Sequence, residues 1–441
     1  MNFNQSLSLF TPPQIFSYQL PQGLRVCLVN KPHLPLLSMH LVLPYGAEAD
    51  FPGKAGLADL TAEMLTLGTK KRSALQLAAD IDSFGAILSA HAGWDYTSLH
   101  ISGLQEDWET LLAILLEIYT EPAFSREEFA QMKKRRLAAL EQRKDESPIV
   151  ADEHFQTAIF QGTPYDHPVY GSLSSLPQIF GEDIKEFHAQ NFLPQGSFLV
   201  FVGSLEEEKL LRWVEGNFPA VKDRSWANGE ESKYAYLSAK KIILIDRPDL
   251  TQSQIRLGHL SLPHNHPDYL PLAVMNYILG GGGFSSRLMQ RIRVELGYTY
   301  GIRSGLEPRK NKGPFLISTF TPTETTYACV QEILGVEKKF LQEGATEEER
   351  SEAINFFIGS YPMKFETLGQ IAQKVIQREV HDLEEDYWLN YPKRIANISL
   401  AEINRVAREY LHPEEMVLVI VGRVKKFRPE FEQWGEIQLL D

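Results

Sequence analysis

The chain is short of cysteine and has no secretory leader pattern. Only two cysteines occur among its 441 residues, Cys27 and Cys329, and they do not form a C-x-x-C pair. Two cysteines are too few for a disulfide framework, so we expect a reducing, cytoplasmic compartment. The N-terminal stretch MNFNQSLSLFTPPQIF also lacks the basic start and the continuous apolar core of a signal peptide.

Positive charge and long apolar runs are scarce as well. The chain has 44 Lys and Arg against 57 Asp and Glu, which gives a net charge of −13. Binding to nucleic acid or to an anionic membrane surface requires clustered Lys and Arg, so we expect neither partner. No apolar run approaches the roughly 20 residues that span a bilayer. The hydrophobic fraction of 43% is that of an ordinary globular protein with a sizeable core.

An internal repeat organises the sequence. The segment NFLPQGSFLVFVG, which ends at Gly203, matches YLHPEEMVLVIVG, which ends at Gly422, with the prolines and the closing glycines aligned. Upstream, SREE beginning at Ser125 and TEEE beginning at Thr346 each indicate a capping box at the start of a helix. Matches that occur in the same order in both halves indicate a duplication.

Each copy alternates strand-like and helix-like periodicity in blocks. This rhythm predicts an α+β fold in which a mostly antiparallel sheet is packed with helices. We therefore predict two homologous domains, residues 1–221 and 239–441. The polar, non-periodic residues 222–238 between them predict a linker.

Residues 56–69, GLADLTAEMLTLGT, predict an amphipathic helix, because the leucines and the methionine recur at helical spacing. Asp59, Ala62 and Glu63 share another face of that helix. The segment resembles the G-x-A-H-x-x-E-H-M-L-x-x-G-T signature of the family that contains pitrilysin, insulin-degrading enzyme and the mitochondrial processing peptidase. In that family the two histidines bind zinc and the glutamate is the general base.

Aligned with this signature, Asp59 stands at the first histidine, Ala62 at the glutamate and Glu63 at the second histidine. The resemblance implies a third ligand further along, and Glu141 fits that place. Carboxylates in place of imidazoles weaken the preference for zinc, and Ala62 leaves a metal-bound water without a base. We expect no cofactor in this chain. Asp59 and Glu63 are either polar positions on a half-exposed helix or, together with Glu141, ligands of a hard cation.

The second copy contains GGGGFSSRLMQRIRVELGYTY, residues 280–300. Its four glycines, Gly280, Gly281, Gly282 and Gly283, follow a predicted helix, whereas a phosphate-binding loop follows a strand. Two interpretations stay open for them. They form a helix end and hinge, because glycine adopts left-handed conformations. Alternatively, as the resemblance implies, they form a flexible segment facing the bound peptide.

The same stretch resembles the family pattern S-S-R-L-F-x-x-x-R-x-x-x-G-x-x-Y. In the family, an arginine and a tyrosine seven residues apart contact substrate and help to stabilise charge on the scissile carbonyl, which suits a guanidinium and a phenol. Arg291 with Tyr298 and Arg293 with Tyr300 both have this spacing. The family's tyrosine lies three residues after the glycine, so Gly297 favours Arg293 and Tyr300.

Two further segments contain histidines. Residues 85–97, GAILSAHAGWDYT, resemble the family's edge strand, which binds substrate by strand addition, but Ser89 stands where an asparagine is typical. His91 and His100 then belong to the sheet surface or the core. His264 and His266 form the tight histidine pair of the sequence, and the prolines that flank the pair predict a plain turn.

The first copy has therefore lost a metal site, while the second keeps an arginine–tyrosine pair. Some bacterial members of the family are heterodimers with zinc on one subunit and this pair on the other. The resemblance implies a clamshell in which a homologous zinc-bearing partner faces the second domain, and Arg293 and Tyr300 act in trans on a peptide. The alternatives are a homodimer and a non-catalytic peptide-binding or assembly protein that retains the fold. Ala62 argues against an active enzyme that uses another metal.

Overall fold

The computed structural model describes residues 10–219 and 240–440. The predicted linker, residues 222–238, lies outside the described residues, so the domain boundary stays a prediction. The first half of the chain builds one six-stranded sheet and the second half builds another. The strands are β1 Phe16–Gln19, β2 Arg25–Asn30, β3 Leu36–Leu43, β4 Ile87–Ala92, β5 Thr97–Leu104, β6 Phe198–Gly203, β7 Lys241–Asp246, β8 Gln252–Leu260, β9 Ile302–Leu306, β10 Pro314–Pro322, β11 Val417–Gly422 and β12 Ile437–Leu440.

The two sheets have the same strand order apart from one edge. The first runs β1-β2-β6-β3-β5-β4 and the second runs β12-β7-β11-β8-β10-β9. Pairing is antiparallel except between β2 and β6, between β7 and β11, and between β7 and β12. The central strands β6 and β11 are buried at every position, which explains their continuous apolar sequences. The structure thus confirms the predicted α+β fold, with mixed but mostly antiparallel sheets.

Helices cover both sheets. Among the described helices, none combines the length and the apolar character needed to cross a membrane. In chain order they are α1 Leu57–Leu65, α2 Ala74–Ser83, α3 Trp108–Thr120, α4 Arg126–Arg143, α5 Ser147–Ile159, α6 Gly181–Asn191, α7 Glu207–Asn217, α8 Tyr269–Asn276, α9 Thr326–Glu343, α10 Glu347–Gly359, α11 Leu368–Val380, α12 Tyr387–Ala396, α13 Leu400–Tyr410 and α14 Arg428–Glu432.

One helix of each half packs on the sheet of the other half. Helix α5 lies against β8 and β11, and its counterpart α11 lies against β3 and β6. Through this exchange Phe155 joins an apolar cluster with Ile243 and Val419. In the reciprocal contact Val375 of α11 joins the cluster that contains Val200 of β6. Each sheet therefore packs one face against a helix of the other half.

Because of this exchange, we expect neither half of the chain to fold alone. A chain split at residue 230 leaves the apolar face of β2 and β6 without α11, and apolar area left in water costs about 25 cal/mol per Å². Each fragment expressed alone should be insoluble or unfold without a cooperative transition. Co-expressed fragments should co-purify in a one-to-one ratio and unfold together. Two fragments that each unfold cooperatively in isolation would contradict this prediction.

Candidate functional site

Helix α1 carries the segment that resembles the zinc signature. The carboxylate of Asp50, in the loop before the helix, caps its start. The backbone N–H groups of Gly56 and Ala58 each donate to Asp50, at 2.7 Å. Gly56 has a φ of 94°, a left-handed conformation that suits glycine. Burial raises the pKa of Asp50 to about 8, against the opposing effect of these N–H bonds. The leucines of α1 face the core, as predicted from their spacing.

The guanidinium of Arg136, on α4, lies between the two carboxylates of α1. Its Nη1 is 2.7 Å from Asp59 Oδ2, and its Nη2 is 2.6 Å from Glu63 Oε2. Its plane lies over the ring of Tyr170, with 3.7 Å between the guanidinium carbon and the ring centroid. The Arg136 side chain is only 6% exposed. A buried cation thus stands where the family signature would place zinc.

These charges determine the protonation of the site. Burial alone would lower the pKa of the Arg136 guanidinium, but the neighbouring carboxylates of Asp59 and Glu63 outweigh it and raise that pKa. Arg136 is therefore charged at any physiological pH. The residues at this position do not fit zinc, because the imidazole ligands are missing and a guanidinium already pairs with both carboxylates. The fully buried methyl group of Ala62 offers no base beside them.

Glu141 does not join this cluster, which argues against the alternative in which Asp59, Glu63 and Glu141 together hold a hard cation. Its side chain is 54% exposed and pairs with Lys144. The buried side of α4 is formed by Met132, Arg136 and Leu140, which are four residues apart. Glu141 follows Leu140 by one residue and is therefore turned about 100° away from that side. Within residues 10–219 and 240–440, no group of three or more His, Cys, Asp or Glu side chains is arranged to hold a metal ion.

Arg136 is the site residue that the family signature did not reveal. The signal was present in the sequence, because an arginine at four-residue spacing from Met132 and Leu140 lies on the buried side of a helix. A buried arginine requires acidic partners. The sequence does not identify the acidic partners of Arg136, because these depend on how α4 packs beside α1.

Strand β4 lies at an edge of the first sheet, where the resemblance placed it. The backbone N–H of Ala92, at the end of this strand, donates to Asp59 Oδ1 at 3.3 Å. Ser89 Oγ lies 3.5 Å from His100 Nδ1, and the His100 ring stacks on His40 with 4.3 Å between centroids. Burial lowers the pKa of both imidazoles. His100 is thus a neutral, packed residue of the sheet.

The histidines of the second half's turn are held separately. His264 packs against the ring of Tyr269, with 4.3 Å between centroids, and burial lowers its pKa to about 3. His266 Nδ1 instead accepts a hydrogen bond from the backbone N–H of Asp268. These different surroundings match the prediction of a plain turn.

The glycine segment continues α8 through a π-helical turn, Tyr277–Gly281. At Gly280 an added Cβ would lie 2.5 Å from Ser304 Oγ, so this glycine permits close packing against β9. Gly283 has a φ of 60°, and both it and Gly281 are exposed. Gly280 therefore packs inside the domain, whereas Gly281 and Gly283 are open to solvent.

The two candidate arginine–tyrosine pairs differ in their surroundings. Arg291 is fixed by Glu295 and Glu332, at 2.8 and 2.9 Å. Arg293 has no carboxylate partner among the described residues, and its guanidinium lies 4.4 Å from the ring centroid of Phe284. Tyr300 is 79% exposed. In the pair that the glycine spacing favours, the tyrosine is thus open to solvent and the half-buried arginine is not held by any described carboxylate.

The repeated architecture and the rebuilt metal position define a class of protein: a two-domain, peptidase-type α+β protein whose zinc site is degenerate. The chain belongs to peptidase family M16. Residues 25–172 match the family described as "Insulinase (Peptidase family M16)", and residues 156–357 match the "Peptidase M16 inactive domain".

Individual relatives cover almost the whole chain. An "Uncharacterized zinc protease" of Rickettsia bellii is 24% identical, over 92% of this chain and 90% of that protein. The "Non-peptidase homolog YmxG" of Helicobacter pylori is 26% identical, over 89% of this chain and 90% of that protein. A structure of a peptidase M16 inactive domain from Pseudomonas fluorescens has a TM-score of 0.85 at 24% identity, covering 93% of this chain and 98% of that one. A protease structure from Helicobacter pylori has a TM-score of 0.84 at 18% identity, covering 93% and 99%. The structural likenesses establish a shared fold.

Proposed function

We propose that the chain is the non-zinc subunit of a heterodimeric processing metallopeptidase and supplies Arg293 and Tyr300 to a homologous, zinc-bearing partner. The observation that carries the proposal is the contrast between the two halves. In the first, Arg136 pairs with both carboxylates at the metal position. In the second, Arg293 has no carboxylate partner among the described residues, and Tyr300 is exposed.

In the proposed complex the partner holds zinc and the general base. Arg293 donates from its guanidinium, and Tyr300 from its phenol, toward the carbonyl oxygen of the scissile peptide bond. Donors aimed at a developing oxyanion lower the barrier most when they are already in place. The substrate is an unfolded peptide, with Gly281 and Gly283 beside it. The free, buried Cys27 and Cys329 support a reducing, cytoplasmic location as part of the same proposal.

The test is cleavage of a quenched peptide by a mixture of this chain with a zinc-bearing relative from the same source. We expect activity in the mixture only, and at least about a hundredfold loss of kcat in Arg293→Ala/Tyr300→Ala, since one oxyanion donor is worth that much. Arg303→Ala, an exposed arginine on β9, is the matched control and should stay within about twofold. Activity that the double variant retains, in a complex of demonstrated stability, would refute the trans-acting role.

A non-catalytic peptide-binding or assembly role is the second candidate. It is favoured by the absence of any base at Ala62 and by the likeness to a relative named a non-peptidase homolog. Under this reading a complex forms, or a homodimer binds peptide, but no cleavage follows. The same mixing experiment separates the two functions, because binding is measured by sedimentation and cleavage by fluorescence.

A further inference from the structure

A groove with an aromatic lining lies on the surface of the first half, between α4 and the start of α6. Its cavity volume is about 760 Å³. Phe124, Phe129, Phe180 and Leu137 supply the apolar part of the lining. Phe180 is 56% exposed, which is unusual for a ring that has apolar neighbours to pack against. The groove thus offers apolar contact area that the described residues do not cover.

One ring is held in place at a conformational cost. Phe124 has a φ of 43°, in the left-handed region that bulky residues rarely adopt. Its ring packs edge-on against His188, with 5.2 Å between centroids. Strain of this kind persists only where the surrounding structure enforces it, and it concentrates at functional positions.

Positive charge surrounds these rings. Arg126, Lys134 and Lys185 are exposed in the lining, and among the described residues none of the three has an ion pair with a carboxylate. Lys133 donates from Nζ to the carbonyl oxygens of the loop before α6, and its Nζ lies 5.3 Å from the Phe180 ring centroid. Glu182 is the one carboxylate in the lining. In a chain with a net charge of −13, this is a local excess of cations.

The spacing of the cations fits a peptide better than a single anion. Along α4, Arg126 and Lys134 are about 12 Å apart at 1.5 Å per residue. That length holds about four residues of an extended chain. The two cations would therefore meet different carboxylates of one peptide segment.

We propose that this groove docks an acidic peptide segment of a partner protein, with a large apolar side chain against Phe129 and Phe180 and carboxylates against Arg126, Lys134 and Lys185. The apolar anchor provides contact area, and the charges select the partner and make binding depend on salt. The groove is lined by neither Arg293 nor Tyr300. The inference therefore goes beyond the proposed function and does not depend on it.

The test uses fluorescence anisotropy with a labelled peptide Glu-Glu-Leu-Phe-Glu-Glu and the full chain. We expect saturable binding at 50 mM salt that weakens at least tenfold at 300 mM. A peptide with lysine in place of every glutamate, and one with serine in place of Leu-Phe, should each bind at least tenfold more weakly. Lys134→Glu/Lys185→Glu and Phe180→Ser should each weaken binding by a similar factor.

Lys425→Glu/Lys426→Glu is the matched control, because it makes the same charge change at two exposed lysines of the second half. It should leave the affinity within twofold. No binding up to 1 mM peptide, or binding that the groove variants do not weaken, would overturn the proposal. A dimer of this chain that Lys134→Glu/Lys185→Glu dissociates would assign the groove to a second copy and would overturn it as well.

Discussion

Replacing Arg136 by alanine is expected to lower the free energy of unfolding by about 3 kcal/mol. Removal of one partner from a buried ion pair costs about 3–5 kcal/mol, because the other charges stay buried without compensation. Here two carboxylates lose their shared cation, and the contact with the Tyr170 ring is lost too. The lower end of the range applies, since the Glu63 side chain is 35% exposed and partly solvated. Urea unfolding at pH 7 measures the difference.

The neighbouring arginine is the matched control for this prediction. Arg135 is 62% exposed and lies 3.9 Å from Glu63, so Arg135→Ala should cost less than about 0.5 kcal/mol. The triple variant Asp59→Leu/Glu63→Met/Arg136→Met, which removes all three charges together, should recover most of the lost stability. A loss below about 1 kcal/mol in Arg136→Ala would show that the two carboxylates do not depend on the guanidinium.

The ion pairs of Arg136 with Asp59 and Glu63 explain why the first half does not offer a zinc site. An ancestral-type zinc site needs neutral imidazoles and an open coordination position. Here the guanidinium of Arg136 occupies the space between the carboxylates of Asp59 and Glu63 and pairs with both. No coordination position is left there for a metal ion. Asp59 also accepts from the N–H of Ala92, so the former metal helix is fastened to the edge strand β4. The ion-paired cluster therefore fixes structure at the position that corresponds to the zinc ligands of the family signature.

The sequence predicted those features that depend on local periodicity and on internal comparison. The repeat, the α+β class and the amphipathic helix around Asp59 all follow from patterns within one segment or between two. The edge position of β4 and the place of Glu141 came from the family resemblance. The periodicity of Met132, Arg136 and Leu140 on α4 shows why Glu141 lies away from Asp59 and Glu63.

The exchange of helices α5 and α11 could not be predicted from the sequence. An amphipathic helix shows that it buries one face, but its pattern does not identify the sheet that covers that face. The unequal surroundings of Arg291 and Arg293 also depend on tertiary contacts, because Glu332 comes from α9.

Replacing Glu337 by glutamine is expected to stabilise the protein at neutral pH. It should also make the free energy of unfolding depend less steeply on pH. Glu337 lies on α9 with no exposed surface, and neither carboxylate oxygen has a hydrogen-bond partner among the described residues. Burial raises the pKa of its carboxyl group well above the ordinary value. The folded protein therefore keeps this proton, whereas the unfolded chain releases it above about pH 4.3.

The sign of the pH dependence follows from this difference. Above pH 4.3 the unfolded state binds fewer protons, so the free energy of unfolding falls by about 1.4 kcal/mol per pH unit until the folded-state pKa is reached. Glutamine does not ionise and removes that slope. Glu337→Gln should thus match the wild type near pH 4 and exceed it by a growing margin as the pH rises toward 7.

The control variant is Glu343→Gln, at the end of the same helix, whose side chain is 60% exposed. Its effect should stay below about 0.5 kcal/mol at every pH. Urea unfolding between pH 4 and pH 8 measures all three proteins under one set of conditions. If the wild type and Glu337→Gln gave parallel profiles, Glu337 would have to be ionised in the folded state. A buried carboxylate without a partner would then need a cation beside it, which the described residues do not provide.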